Sequence, residues 1–389
     1  MVLHRSGCWV ILSMGLLAVE AMALELNGKQ EECTTAIVAG EVSRSGRPIL
    51  WKNRDSSVRD NALVRLQGPR FAYLALINIG DTSQVWAGLN EAGFAVMNAE
   101  ALDLEGDSLD AEGYFMAEAL GTCATVQDFE ELLRTTNGSK RGTKSNFGTI
   151  DAQGGAAYFE AGNRTYARYD ARAEGGWLVR TNFAQTGDGS GGGVFRFVRA
   201  RELLRRLQDE GAISPLSFLR ILARDLVPPS RWLPDFPSGR WIPTSSSINR
   251  YRTVACVVIE GSRAGEDPRS SVMWVILGEP LFGVAVPLWV SAGEVPEPLR
   301  GPSKSELNAR IQALEDKAYP VPGRPDLLDS RWLEDPETQA WLLRVEQFER
   351  RWFERADSLR EAIASGRMAA ETLQKLQGEA AEEARQLFP

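Results

Sequence analysis

Residues 33–55 read CTTAIVAGEVSRSGRPILWKNRD, and the fold turns on how that stretch is parsed. Positions 34–40 and 48–53 are apolar runs of strand composition, and Ser-Arg-Ser-Gly-Arg at 43–47 is turn-forming, so the stretch predicts a β-hairpin. A hairpin returns the chain to its starting end, which brings Asp55 back toward Cys33. Working outward, 71–79, 85–89 and 94–98 read as strands, followed by helical periodicity at 114–120 and 127–134. Thr125 and Asp128 form a capping box for the second of these helices. Strands return at 146–151, 156–161, 165–169 and 177–182, and amphipathic helices at 195–207 and 216–226 lead to strands at 252–259, 272–277 and 283–289. Runs of strands with helices segregated between them predict an α+β fold with largely antiparallel sheets, not a doubly wound one.

Composition narrows the chemistry. The 389 residues carry 44 Lys+Arg against 52 Asp+Glu, a formal net charge of −8, which argues against a nucleic-acid partner. The only histidine is His4. It lies in a segment with the marks of a secretory signal peptide: Arg5, the apolar run CWVILSMGLLAV at 8–19, and Ala21-Met22-Ala23 as an A-x-A cleavage site. The expected signal peptide is 1–23, and the expected chain is exported, with no transmembrane anchor left after its removal. What remains has no imidazole, which excludes Ser-His-Asp triads, Cys-His dyads and histidine metal sites. No cofactor and no metal are expected.

Export also removes Cys8 and leaves Cys33, Cys123 and Cys256, an odd number in an oxidising compartment. Cys256, inside the apolar run at 253–259, reads as a buried thiol; Cys123 stays open between core and reactive roles. Cys33 starts a strand with Asp55 beside it and needs a base. Cutting the Glu32–Cys33 bond supplies one, because an α-amine with a pKa of about 7.7–8.0 accepts a proton at neutral pH. Asp55 then holds and orients that amine. Residues 24–32 are the expected propeptide.

After about residue 301 the pattern changes. Asp335-Pro336 caps a long helix whose Trp341, Val345, Phe348, Trp352, Leu359 and Ile363 make one apolar stripe, stopped by Ser365-Gly366. A helical hairpin packed on the main domain is preferred over a coiled-coil partner surface. Gly187, Gly189 and Gly192 spell G-x-G-x-x-G, but no β-α-β unit with a closing acidic residue surrounds them, so they read as a mobile loop after Asn182. Asn137 and Asn163 head glycosylation sequons, meaningful only in a eukaryotic secretory pathway.

Several motifs in order resemble the N-terminal-nucleophile (Ntn) hydrolases of the linear-amide branch, which include the penicillin acyl-coenzyme A:isopenicillin N acyltransferases and, further off, the choloylglycine (bile salt) hydrolases. Cys33-Thr34-Thr35 resembles the Cys-Thr nucleophile start, and Asn53-Arg54-Asp55 the Asn-x-Asp signature. Gly88-Leu89-Asn90-Glu91-Ala92-Gly93-Phe94-Ala95-Val96 is similar to a Gly-x-Asn-x-x-Gly-x-Ala-Val hairpin, with Asn98 near a polar site residue. Thr181-Asn182 resembles the Thr-Asn of the oxyanion hole, and Ser247-Ile248-Asn249-Arg250 the segment that brings an arginine to the site. Lys52 stands where the bile salt hydrolases carry arginine, and Glu32 where the acyltransferases often have glycine.

The resemblance covers 33–301 and implies a four-layer αββα sandwich, to which 302–389 add a helical C-terminal extension. It implies an exported, self-cleaving amidohydrolase acting on a small N-acyl substrate through an acyl-enzyme on Cys33. Asp55 serves the amine, Asn182 and Asn98 the oxyanion, and Lys52 and Arg250 the substrate. Trp86 and Phe183 hint at a hydrophobic acyl group. The alternatives are an acyltransferase that passes the acyl group to an amine, and a non-catalytic envelope protein that uses the C-terminal helices as a partner surface. Homo-oligomerisation is left open.

Overall fold

The predicted hairpin forms. In the computed structural model, strand β1 (Glu32–Val38) pairs antiparallel with β2 (Ile49–Asp55), with Cys33 opposite Arg54 and Glu32 opposite Asp55. The described residues are 32–107, 109–227, 240–301 and 304–388. The expected signal peptide, its Ala21-Met22-Ala23 site and residues 24–31 lie outside them.

Two antiparallel sheets build the body. The second contains β3 (Asn61–Gln67), β4 (Ala72–Asn78), β5 (Ala87–Asn90), β6 (Ala95–Glu100), β7 (Ser145–Ile150), β8 (Ala156–Ala161) and β9 (Tyr166–Asp170), in that order. The first runs β10-β1-β2-β12-β13-β14, with β10 at Trp177–Arg180, β12 at Thr253–Glu260, β13 at Val272–Ile276 and β14 at Val286–Leu288. A two-stranded ribbon pairs β11 (Trp241–Pro243) with β15 (Leu327–Asp329). Every residue of β1 and β2 is buried, as expected for strands covered on both faces. On one face Thr35 receives the Tyr158 hydroxyl at 2.8 Å from β8, which fixes that face toward the second sheet.

Helices close both outer faces. Helices α1 (Glu112–Thr122) and α2 (Val126–Thr136) cover the second sheet, where Phe129 meets Phe94, Phe115, Phe147 and Phe159 with ring centroids 5.3–6.0 Å apart. The Thr125–Asp128 capping box is present. On the first sheet lie α3 (Val194–Asp209), a short turn around Phe218, and the helices after residue 304: α4 (Glu306–Ala318), α5 (Pro336–Ala364) and α6 (Ala370–Leu387). The layers are therefore α, β, β, α, in the order that the resemblance implies, and the chain from Glu32 on is one compact unit.

The apolar stripe of α5 is covered by the protein itself. Trp341, Val345, Phe348, Trp352 and Ile363 are buried, Phe353 meets Trp274 of β13 at 5.8 Å, and Glu349 pairs with Arg224 at 2.7 Å. Arg360 pairs with buried Glu260 of β12. The packed reading of this helix holds, and the stripe is not an open partner surface. Trp352→Ala should cost about 3–5 kcal/mol, the usual range for emptying a buried aromatic site. Urea denaturation checks this; a loss under about 1 kcal/mol would place α5 outside the cooperative core.

Three expectations change. Strand β3 was not anticipated, because only its first three residues are fully buried and Arg65 and Gln67 face outward. The helix expected over 216–226 forms but is shorter: an α-helical turn at Pro215–Ser217 runs into a π-helical turn at Phe218–Leu222, where it ends. The last strand of the first sheet, expected over 283–289, shrinks to Val286–Leu288, the stretch that pairs with Met273–Val275 of β13.

Candidate active site

Alternation along β1 decides which side chains can meet. Thr35 faces the second sheet, and so, two residues back, does Cys33. Across β2, Lys52 shares that face: its Nζ donates to Asn98 Oδ1 at 2.7 Å and to the Trp86 carbonyl at 2.9 Å. Asn98, on β6, in turn donates to Ser145 Oγ at 3.3 Å. Cys33, Lys52 and Asn98 therefore border one inter-sheet space, and all three are buried.

Glu32, Thr34 and Asp55 face the helices. Two arginines converge there. Arg196, in the first turn of α3, donates to the Cys33 carbonyl at 2.7 Å, to Thr34 Oγ1 at 2.9 Å, to Glu32 Oε2 at 2.9 Å and to Asn182 Oδ1 at 3.0 Å. Arg250, in the segment leading into β12, donates to the same Glu32 oxygen. Both guanidiniums lie near Asp55 Oδ2, at 3.9 and 3.6 Å, yet neither hydrogen-bonds it. Asp55 Oδ1 accepts from Thr253 Oγ1 at 2.7 Å.

The two carboxylates are held differently. Burial raises the pKa of Glu32, but Arg250 and Arg196 outweigh it and hold that carboxyl below its ordinary value. Burial dominates at Asp55 and pushes it up to about 6, against the pull of the same arginines. Folded Asp55 thus keeps its proton to about pH 6, whereas the unfolded chain loses it near 3.8, so this group's contribution to stability is complete below about pH 4 and lost as pH rises to 6. Two pH units correspond to about 3 kcal/mol. In an uncut Cys33→Ala chain, urea denaturation at pH 4 and 7 should show this falling limb, and adding Asp55→Asn should remove it. An identical pH profile with and without Asp55→Asn would contradict this assignment.

Asn182 is at the centre, in an orientation the sequence did not give. Its Oδ1 accepts from the Cys33 backbone nitrogen at 2.9 Å and its Nδ2 donates to the Glu100 carbonyl at 2.9 Å. With the Glu32–Cys33 bond intact, the Asn182 side chain holds the Cys33 backbone nitrogen through Oδ1, and its amide nitrogen is turned to the Glu100 carbonyl. The loop after it is pinned at its start: Ala184 N bonds the Asp103 carboxylate, and Gln185 N and Thr186 N bond Glu160 at 2.9 Å each. Gly187 is required there, because a Cβ would come within 2.1 Å of Asp103 Oδ2. The expected mobile loop is anchored over its first half.

Arg196 was missed by sequence reasoning, as was the paired role of Glu32. The one available signal was an arginine in the first turn of an amphipathic helix, a place that usually favours acidic residues. Asn90 proves structural: its side chain accepts from Ala92 N and Phe94 N and donates to the carbonyls of Leu120 and Cys123, tying the β5–β6 turn to the end of α1. The open choice at Cys123 resolves toward the core, since burial pushes its thiol up to about 11, and that of Cys256 up to about 12; they are not bonded to each other. A cleft of about 490 Å³ opens between β10 and α3, lined by Trp177, Arg180, Phe197, Arg201 and Arg205; Cys33 is not part of its wall.

No family model matches the chain, and no curated protein matches it. Among solved structures it is similar to a cysteine-to-alanine variant of conjugated bile acid hydrolase from Clostridium perfringens, at 15% identity over 63% of this chain and 89% of that one, with a TM-score of 0.41. It is similar to a Caenorhabditis elegans ortholog of N-acylethanolamine-hydrolyzing acid amidase, at 15% identity over 58% and 92%, with a TM-score of 0.38. Penicillin V acylase from Agrobacterium tumefaciens gives 16% identity over 66% and 86%, with a TM-score of 0.39. Bile acid hydrolase is one of the groups that the motifs of β1, β2 and the β5–β6 turn resemble.

Proposed function

We propose that the chain is an exported cysteine amidohydrolase that cleaves itself between Glu32 and Cys33 and then hydrolyses a linear amide of a small N-acyl substrate. The observation that supports this reading is how firmly the backbone of one residue, Cys33, is held. Cys33 N is held by Asn182, its carbonyl by Arg196, and buried Asp55 lies across the strand pair one residue away. A nitrogen kept in place this way becomes a positioned base once it is an amine.

The chemistry then follows in two turns. In the first, Cys33 Sγ attacks the Glu32 carbonyl, the acyl group moves from nitrogen to sulfur, and water hydrolyses the thioester to release the segment ending in Glu32. In the second, the Cys33 amine takes the thiol proton and Sγ attacks the substrate carbonyl. The tetrahedral intermediate collapses as the ammonium returns its proton to the leaving amine, and water resolves the acyl-enzyme. Asp55 holds the ammonium. Lys52, on the thiol's face, supplies positive charge to the developing oxyanion; one such donor is typically worth about 3 kcal/mol.

The test is a panel of N-acyl amines and N-acyl amino acids offered to the purified, cleaved protein, with and without an added amine. Hydrolysis that a thiol alkylator abolishes is expected. Acyl transfer to the added amine in place of release to water would convert the reading to an acyltransferase. Turnover untouched by complete alkylation of Cys33 would discard the nucleophile.

A further inference from the structure

Before cleavage, Arg196 and Arg250 together grip one oxygen of the Glu32 carboxylate. We infer that in the cleaved chain the recess they form is a carboxylate subsite, which takes the far carboxylate of a dicarboxylic acyl amide in the place that the Glu32 side chain fills beforehand. This rests on the reading of Cys33 as a nucleophile exposed by cleavage.

Three observations carry it. The arginines are built in: each side chain is 2% exposed, and Arg196 is further fixed by the Cys33 carbonyl and Thr34 Oγ1. Their charges are balanced pairwise only while Glu32 is present. Once it leaves, Asp55 faces two guanidiniums alone, from 3.6 and 3.9 Å, and a buried charge without a partner is costly. An incoming carboxylate restores the balance with bidentate-capable donors already in place.

Chain length then selects the ligand. In the self-cleavage step, the carbonyl presented to Cys33 belongs to Glu32, and the unit from that carbonyl carbon to the side-chain carboxylate is a glutaryl skeleton. In the substrate step, the same thiol meets the substrate's acyl carbonyl. Once the chain begins at Cys33, no residue of β1 precedes it to separate the thiol's face from the recess. A five-carbon diacid acyl group therefore matches the span from nucleophile to arginines.

The experiment compares glutaryl-p-nitroanilide with pentanoyl-p-nitroanilide, which has the same chain length and no carboxylate, on the cleaved wild-type protein. The glutaryl substrate should show a kcat/KM at least about tenfold higher, and Arg196→Met should remove that preference chiefly through KM. Because Arg196 also holds the Cys33 carbonyl and Thr34 Oγ1, a second arm leaves it in place and uses calorimetry on an uncut chain. Cys33→Ala/Glu32→Gly should bind glutarate but not pentanoate, whereas Cys33→Ala alone, with Glu32 still in the recess, should bind neither. Equal or better turnover of the pentanoyl substrate overturns the subsite and leaves the amidohydrolase intact. Glutarate binding to the double variant without turnover of either anilide upholds the recess and counts against the hydrolase reading. Absence of glutarate binding from both the cleaved chain and the double variant overturns the inference.

Discussion

A Cys33→Ala chain will keep residues 24–32 attached and will hydrolyse no amide. The side chain removed is a single buried thiol facing the second sheet, 2% of the residue being exposed, and alanine fits its strand position. The fold should survive with a loss of about 1 kcal/mol. Both chemical turns depend on that sulfur, so the effect on rate is not graded: without Sγ there is neither an acyl shift onto Cys33 nor an acyl-enzyme. A fall in kcat/KM of about 10⁴-fold or more is expected, as when a nucleophile is removed from a unit that works as a whole. Comparable turnover by the alanine variant, measured on any substrate that the wild type cleaves, would falsify the nucleophile assignment.

Asp55→Asn will separate stability from activity. In the uncut chain the Asp55 carboxyl is fully buried and raised to about 6, so at neutral pH its ionisation works against folding and an amide of the same shape should be tolerated or favoured. In the cleaved chain its job is reversed. On the proposed mechanism a cationic amine at Cys33 cycles there with each turnover and needs a carboxylate opposite it. The asparagine variant should therefore fold, melt no lower than the parent at pH 7, and lose activity by about 100-fold or more, the lower end of what a positioned acid–base unit contributes. The pH dependence of the residual rate should also shift, because the amine's neutral form is no longer tuned by a neighbouring charge. Full activity with an unchanged pH profile in this variant would remove Asp55 from the mechanism.

The parts of this site that were legible in the sequence are those set by local pattern. The hairpin that brings Asp55 to Cys33 follows from two apolar runs around a turn, and its register places Asp55 opposite Glu32. Cys33, Asn182 and Arg250 lie far apart in sequence and were grouped through motif resemblance; the structure joins them through the Cys33 nitrogen and the Glu32 carboxylate. Arg196 was hidden because nothing local marks it. It sits among exposed Val194, Phe195 and Val198, and its burial comes from contact with a strand more than 160 positions away. The direction of the Asn182 amide was equally hidden: composition gives the group but not which end faces the strand. Arg196 reaches the surroundings of the Cys33 nitrogen through the Cys33 carbonyl and through Asn182 Oδ1, contacts that no local pattern announces.

The central claim is that the working nucleophile is the first residue of the active protein. Intact mass combined with N-terminal sequencing of the purified, active chain measures this directly. A chain that begins at Cys33, with the segment ending in Glu32 gone, is the predicted result. Full activity in protein that still carries Glu32 on the Cys33 nitrogen would contradict it, because that nitrogen would then be an amide, unable to accept a proton.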